Sequence, residues 1–352
     1  MLAETLRPTP VDAERASLVH VSDDTPGIIR RGRGKGFQYL GPDGREVKDK
    51  ENLERIASLA IPPAWKNVWI CPDPNGHIQA TGRDDRGRKQ YRYHPRWLLC
   101  RDEVKYSSLV AFAQVLPELR RQMEADLRRR DLSLPRVAAS VVWLLDNTMI
   151  RVGNAAYARE NKSFGLTTLR DQHVEVEGAS LRFDFRGKSG KQWRLKLADR
   201  RIARIVKSVQ ELPGQHLFQY LDANGARHPV TSQDINGYIH EVTGADFSSK
   251  HFRTWGGTVR ALVLFAQTPI PDSGRATART ANSVIDKVAA QLGNTRTVCR
   301  NCYVHPQVIS SWQRGTLPEE IAAARRSRRQ WQGLDEEETL TLKWLLIHEN
   351  GD

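Results

Sequence analysis

The chain has 352 residues, roughly two to three times an ordinary domain, so two domains with separate cores are expected. Hydrophobic residues make up 39% and charged residues 27%, which excludes wholesale disorder, and a chain of this size needs no disulfide framework. The 54 Lys and Arg exceed the 41 Asp and Glu by 13, and 40 of the 54 are Arg, whose planar fork fits phosphate, so the favoured partner is a polyanion.

Residues 1–25 are polar with two prolines and read as a loose N-terminal arm without the apolar core of a signal peptide. From Ile28 the pattern is strand-like, in IIRRGRGKGFQYL, a GPDG turn and REV. The helical patch KENLERIASL follows, then a hairpin in VWICPDPNGHIQATGRD that turns at Pro74-Asn75-Gly76, then the alternating segment Lys89-Gln90-Tyr91-Arg92-Tyr93-His94. Residues 26–97 thus form a small β-rich module. Beyond Pro95 the period becomes helical, in KYSSLVAFAQVL, PELRRQMEADLRRR and LPRVAASVVWLLDNTMI. Strands return once, in HVEVEG, ASLRFDFRGKSG and KQWRLKLA, as a three-stranded sheet with a GKSGK turn. Helices resume in DRRIARIVKSVQEL, SQDINGYIHEVTG, KHFRTWGGTVRALVLFAQ, ARTANSVIDKVAAQLG and TRTVCRNCYVHPQVISSW, and a last amphipathic helix follows the acidic run at 335–338. The fold class expected is α+β: a β-rich N-terminal domain, then a mainly α domain over 98–352 with one small sheet. No apolar run approaches the ~18 residues of a membrane span, and a cytoplasmic location beside the nucleoid is expected.

Gly187-Lys188-Ser189 is not a P-loop, because the motif requires glycine at 182 and Arg182 stands there. Asp84-Asp85 is flanked by Arg83, Arg86 and Arg88, which suit neutralisation better than a Mg²⁺ site. Cys299 and Cys302 form a C-x-x-C pair without a second ligand pair, and read as free thiols on one helix. Cations scattered through the helical domain and a tyrosine near its end remain. Singly, each has an ordinary structural explanation.

Their order does not. The chain resembles type IB DNA topoisomerases of the poxvirus-like bacterial group over about residues 26–315. IPPAWKNVWICPDPNGHIQATGRDDRGRKQYRYHPRW is similar to that family's N-domain signature. The family's first catalytic arginine lies in I-R-x-G-x-x-x-Y, here Ile150-Arg151 through Tyr157, and its lysine in a G-K turn, here Gly187-Lys188. The second arginine matches Phe252-Arg253-Thr254-Trp255, and the nucleophile falls nine residues after a Gly-His or Gly-Asn pair, here Asn294 and Tyr303. Many relatives carry His where this chain has Asn294; an amide can donate to a phosphate oxygen but cannot become cationic.

The resemblance implies a DNA topoisomerase that opens one strand of double-stranded DNA through a 3′-phosphotyrosyl intermediate and relaxes supercoils of either sign. No cofactor and no metal are implied. It implies Tyr303 as nucleophile, Arg151 and Arg253 as a cationic clamp on the phosphorane-like transition state, Lys188 as general acid to the 5′-oxygen and Asn294 as a neutral donor. Arg88, Lys89, Gln90, Tyr91 and Tyr93 are expected to reach DNA from the β module, and Tyr157 and Lys250 from the helical domain. The protein is expected to act as a monomer clamping the duplex. A tyrosine recombinase is the nearest alternative, but that family typically has His where this chain has Lys250, and its N-domain is helical. A DNA-binding protein of the same fold without activity is the other.

Overall fold

The computed structural model describes residues 17–349 apart from Lys35 and Arg86, and it divides into two compact units, one ending at Tyr106 and the other beginning at Ser107. In the first unit, strands β1 (Ile28–Arg33), β2 (Gly36–Leu40), β3 (Lys66–Ile70), β4 (Ile78–Arg83) and β5 (Lys89–Tyr93) form an antiparallel sheet in the order β2-β1-β3-β4-β5. Helix α1 (Lys50–Ser58) begins where Asp49 accepts a hydrogen bond from the Asn52 amide at 2.9 Å. Because side chains alternate across a strand, register decides which residues share a face. Ile28, Ile70 and Ala80 stand in one cross-strand row and are buried with Val68 and Ile56 of α1. Trp69, Thr81 and Tyr91 stand in the next row, on the opposite face, where Trp69, Cys71 and Ile78 pack with Val21, Tyr91 and Tyr93.

Of the expected arm, residues 1–16 lie outside the described residues. Its end is not loose: Val19 exchanges backbone hydrogen bonds with Asn75 and His77, both 2.9 Å, and Trp69 Nε1 donates to the Thr25 carbonyl at 2.9 Å. Thr81 Oγ1 donates to Asp23 at 2.8 Å. These contacts use backbone carbonyls and one carboxylate, so a polar composition gives no sign of them.

Helix α2 (Pro95–Leu127) runs through the division between the units. The sequence pattern suggests a break at Pro117, yet one helix of 33 residues passes through it. An interior proline costs about 3 kcal/mol. The apolar row Leu109, Phe112, Ala113, Leu116, Leu119, Met123 and Leu127 continues buried on both sides of it, and that burial offsets the cost.

The second unit continues with α3 (Leu134–Thr148), α4 (Ala155–Asn161), strands β6 (Val174–Glu177), β7 (Ser180–Arg186) and β8 (Gln192–Ala198), and α5 (Arg200–Gln210). The strands form the expected three-stranded antiparallel sheet, with β7 central and the GKSGK segment as its β7–β8 turn. A second sheet was not expected: β9 (Gln219–Leu221) and β10 (Arg227–Pro229) make a hairpin around Asp222-Ala223-Asn224-Gly225. Asp222 accepts from the amides of Asn224 and Ala226 at 2.9 Å, and Gly225 supplies φ +77°. Strands of three residues are too short to show a period of two. Helices α6 (Ser232–Thr243), α7 (Ser249–Ala266), α8 (Gly274–Gln291), α9 (Arg296–Cys302), α10 (Pro306–Arg314), α11 (Leu317–Arg326) and α12 (Glu336–Glu349) complete the unit. The segment read as one helix from Thr295 to Trp312 is broken into α9 and α10. Pro306 opens α10, so His305 is extended (φ −59°, ψ 125°), and Tyr303 lies in the break. Among the described residues no helix is long and apolar enough to cross a membrane.

Candidate active site

Four chain segments meet around Tyr303. Helix α3 ends at Met149 in the left-handed region (φ 55°), which turns the chain sharply into Ile150 and Arg151. The loop after it is pinned by the amides of Leu166 and Thr167, which donate to the carbonyls of Arg151 (2.9 Å) and Val152 (2.7 Å). Gly165 must be glycine here, since a Cβ would lie 2.6 Å from the Arg151 carbonyl oxygen and from the Gly153 nitrogen. Arg151 Nη2, thus placed, donates to Asn294 Oδ1.

Arg253 lies in the second turn of α7 and is only 3% exposed. Its Nη1 donates to the Met149 carbonyl and its Nη2 to the Leu292 carbonyl at 2.8 Å, so one side chain ties the end of α3 to the end of α8. Immediately after Leu292, Gly293 (φ +57°) reverses the chain and delivers Asn294, which is buried. The Arg253 guanidinium lies over the Tyr303 ring, 4.8 Å from its centroid. Burial pulls Arg253 down to about 10, against the raising effect of the Tyr303 phenol. Burial also pushes the Tyr303 phenol up, but the Arg253 and Arg151 guanidinium groups outweigh it and hold the phenol below its ordinary value. Two buried donors at this place, Arg253 Nε and Asn294 Nδ2, have no hydrogen-bond partner among the described residues. An orphaned buried donor is costly unless an acceptor arrives.

Lys188 sits in the turn between β7 and β8, where Gly187 N donates to the Lys191 carbonyl at 2.7 Å and Gly190 takes φ +77°. Its ammonium lies 5.8 Å from the centroid of the Tyr157 ring, on α4, whereas the cation over Tyr303 is Arg253. Tyr157 itself is placed by the Asn154 side chain, which accepts from its amide at 2.9 Å.

Two family models match the chain: "Eukaryotic DNA topoisomerase I, catalytic core" over residues 91–329 and "Bacterial DNA topoisomerase IB, N-terminal domain" over residues 36–84. "DNA topoisomerase 1B" of Acanthamoeba polyphaga mimivirus is 33% identical over 294 residues, covering 82% of this chain and 88% of that protein. The chain belongs to the type IB DNA topoisomerases. "DNA topoisomerase 1B" of vaccinia virus (strain Copenhagen) is 22% identical over 239 residues, 65% of this chain and 70% of that one. "DNA topoisomerase 1" of Mycosarcoma maydis is 24% identical over 185 residues, 47% of this chain and 18% of that one. The mimivirus and poxvirus relatives, with the bacterial N-terminal model, place the chain in the poxvirus-like bacterial group, and DNA is its substrate.

Four of the topoisomerase's expected site residues, Arg151, Arg253, Asn294 and Tyr303, converge; Lys188 stands over Tyr157. Lys250 lies one turn before Arg253 on α7, half-buried. In the first unit the expected DNA contacts are already engaged with carboxylates: Lys89 with Asp23 at 2.7 Å, Arg88 with Asp84 at 2.7 Å, and Gln90 Nε2 with Asp84 at 3.0 Å. Tyr91 and Tyr93 stack in parallel, with centroids 5.7 Å apart. Cys299 and Cys302 do lie on one helix, α9, and burial pushes the Cys299 thiol up to about 12.

The sequence reading missed the residues that seat these groups. Lys191 Nζ donates to the Asn294 carbonyl; it is the second lysine of the GKSGK turn, and only that repetition hints at it. Gly257 lets α7 approach the Tyr303 segment, since a Cβ there would lie 2.6 Å from the Tyr303 carbonyl oxygen. Thr258 Oγ1, fully buried, accepts from the His305 amide at 3.1 Å and donates to the Tyr303 carbonyl at 3.4 Å. Neither carries a motif.

Proposed function

We propose that Tyr303 attacks a DNA phosphodiester, forming a 3′-phosphotyrosyl ester, and that Arg151, Arg253, Asn294 and Lys188 carry the step with it. One observation supports this above all: the phenol is buried under a guanidinium, beside two buried donors, Arg253 Nε and Asn294 Nδ2, that lack an acceptor among the described residues. The nonbridging oxygens of a phosphodiester supply what those donors lack.

In the forward step the phenol sheds its proton to water and its oxygen attacks phosphorus. The bond from phosphorus to the 5′-oxygen breaks, and that oxygen takes a proton from Lys188. Negative charge that grows on the nonbridging oxygens meets Arg151 and Arg253, permanent cations fixed before the reaction begins, and the neutral Asn294 amide. Religation is the reverse, with the 5′-hydroxyl attacking the tyrosyl ester. That ester keeps the energy of the broken bond, so supercoils of either sign are released without ATP and without metal. The enzyme works as a monomer on one duplex, and its substrate places it with the chromosomal DNA in the bacterial cytoplasm.

The test is plasmid relaxation in EDTA without ATP. Wild type relaxes positive and negative supercoils; Tyr303→Phe loses relaxation and keeps DNA binding. A Tyr303→Phe variant that still relaxes plasmid, or a wild type from which denaturant traps no 3′-linked adduct, overturns the reading.

A further inference from the structure

Lys188 is on a hairpin turn, whereas Arg253 and Asn294 are fixed by helix ends, and a general acid is effective only when its distance to the leaving oxygen is controlled. The indole of Trp193 joins the two. It stands in β8 with its ring against two glycines that are far apart in sequence. A Cβ on Gly187 would fall 2.7 Å from the pyrrole side of the indole (Cδ1 and Nε1), and a Cβ on Gly293 would fall 2.6 Å from its benzo side (Cζ2). The two glycines directly precede Lys188 and Asn294. Phe185, the cross-strand partner of Trp193, stacks parallel to it at 6.2 Å with an interplanar angle of 3° and is itself buried, which fixes the plane of the indole. On the same side, Lys191 Nζ holds the Asn294 carbonyl while the Lys191 carbonyl accepts from Gly187 N.

We infer that Trp193 is a positioning residue that keys the Lys188 turn against the Gly293–Asn294 segment and so sets the proton donor relative to the phosphate held by the guanidinium clamp. The inference rests on the reading of Lys188 as general acid. Any side chain at position 187 or 293 would displace the indole, and any smaller residue at 193 would leave the turn without its stop. Loss of that stop misplaces the ammonium while the Arg253 and Tyr303 contacts, made by α7, α8 and the α9–α10 break, remain.

The experiment compares single-turnover cleavage of two DNA duplexes, one ordinary and one with sulfur in place of the bridging 5′-oxygen at the cleaved position. A thiolate leaves without a proton because thiols ionise near pH 8.5, so the sulfur duplex does not need the acid. Lys188→Ala is expected to lose ~10²–10⁴-fold on the oxygen duplex and to recover on the sulfur duplex. Trp193→Ala is expected to lose on the order of 10²-fold on the oxygen duplex and to recover likewise. Trp193→Phe, which keeps the stack on Phe185, should fall between Trp193→Ala and wild type. The ratio of the two rates does not depend on the fraction of molecules that fold, and Trp193→Phe supplies it if Trp193→Ala is too unstable to purify. If Lys188→Ala recovers while both Trp193 variants are equally slow on the two duplexes, or if they cleave the oxygen duplex at the wild-type rate, the role of Trp193 is refuted. If Lys188→Ala itself fails to recover, the general-acid reading falls, and the two failures are thereby distinct.

Discussion

At the scale of single residues, Arg253 opposes the effect of burial on Tyr303. It donates to two backbone carbonyls and, among the described residues, to no carboxylate, so its charge acts on the phenol without being neutralised by a partner. With the phenol held below its ordinary value chiefly by this cation, the cleavage rate should climb with pH until the phenol ionises. Removing the charge leaves burial as the dominant effect and sends the phenol upward. In Arg253→Gln the rising limb of the cleavage rate against pH is therefore expected to move to higher pH, each unit of movement costing about tenfold at a fixed pH on that limb. A variant slowed by one factor at every pH, with its limb unmoved, would show that Arg253 acts on the phosphate alone. The residues proposed to do the chemistry were legible only through the resemblance, because the family's motifs keep particular side chains in a fixed order. Gly257, Thr258 and Trp193 were not, because seating a backbone or filling a gap is done by shape, which leaves no pattern in one sequence.

At the scale of elements, the helix that bears Arg253 is braced from behind by a buried charge cluster. Arg120 of α2 donates to Asp146 of α3 at 2.8 and 2.9 Å and to Glu338 of α12 at 2.7 and 2.8 Å. Glu338 also accepts from Trp255 Nε1 at 2.9 Å, and Trp255 lies two residues after Arg253. Four helices thus share one cluster, and truncating Arg120 leaves two carboxylates with little water to replace it. Arg120→Ala is expected to cost about 3–5 kcal/mol in urea or thermal unfolding, with cleavage preserved below the transition. A loss under ~1 kcal/mol would mean that solvent already screens the cluster. The last helix was expected to dock by its apolar face; that a glutamate and an arginine more than 200 positions apart fix it could not be read from spacing. The same limit explains the other differences. The helix through Pro117 is decided by burial far from the proline, and the β9–β10 hairpin by a turn whose strands are too short to have a period. The break at Tyr303 was missed too, although Pro306, whose restriction on His305 is local, is a signal the sequence does carry.

At the scale of the whole molecule, each internal ion pair removes one cation and one anion, so pairing leaves the excess of 13 positive charges intact but decides which cations stand free for DNA. Arg33 with Glu46, Arg182 with Glu175, Arg88 with Asp84 and Lys89 with Asp23 are examples, at 3.0, 3.0, 2.7 and 2.7 Å. With ~6–10 phosphate contacts, binding should weaken by roughly 10³–10⁵ between 50 and 200 mM salt, and Tyr303→Phe should share that slope because a neutral phenol releases no counterion. Lys89 separates two ways of using the charge. Partial burial by its neighbours raises the Asp23 carboxyl, yet its bonds to Lys89 and Thr81 hold it below the usual carboxylate range, so the pair is favourable as it stands. If Lys89 leaves Asp23 for a phosphate, Lys89→Ala reduces the slope of log affinity against log salt by about one and Asp23→Asn strengthens binding, since the cation no longer has to be taken from a partner. If Lys89 stays on Asp23, Lys89→Ala leaves the slope unchanged, and the pair serves to hold residues 18–25 on the sheet, in which case its loss appears in the stability of the first unit instead of in the binding isotherm.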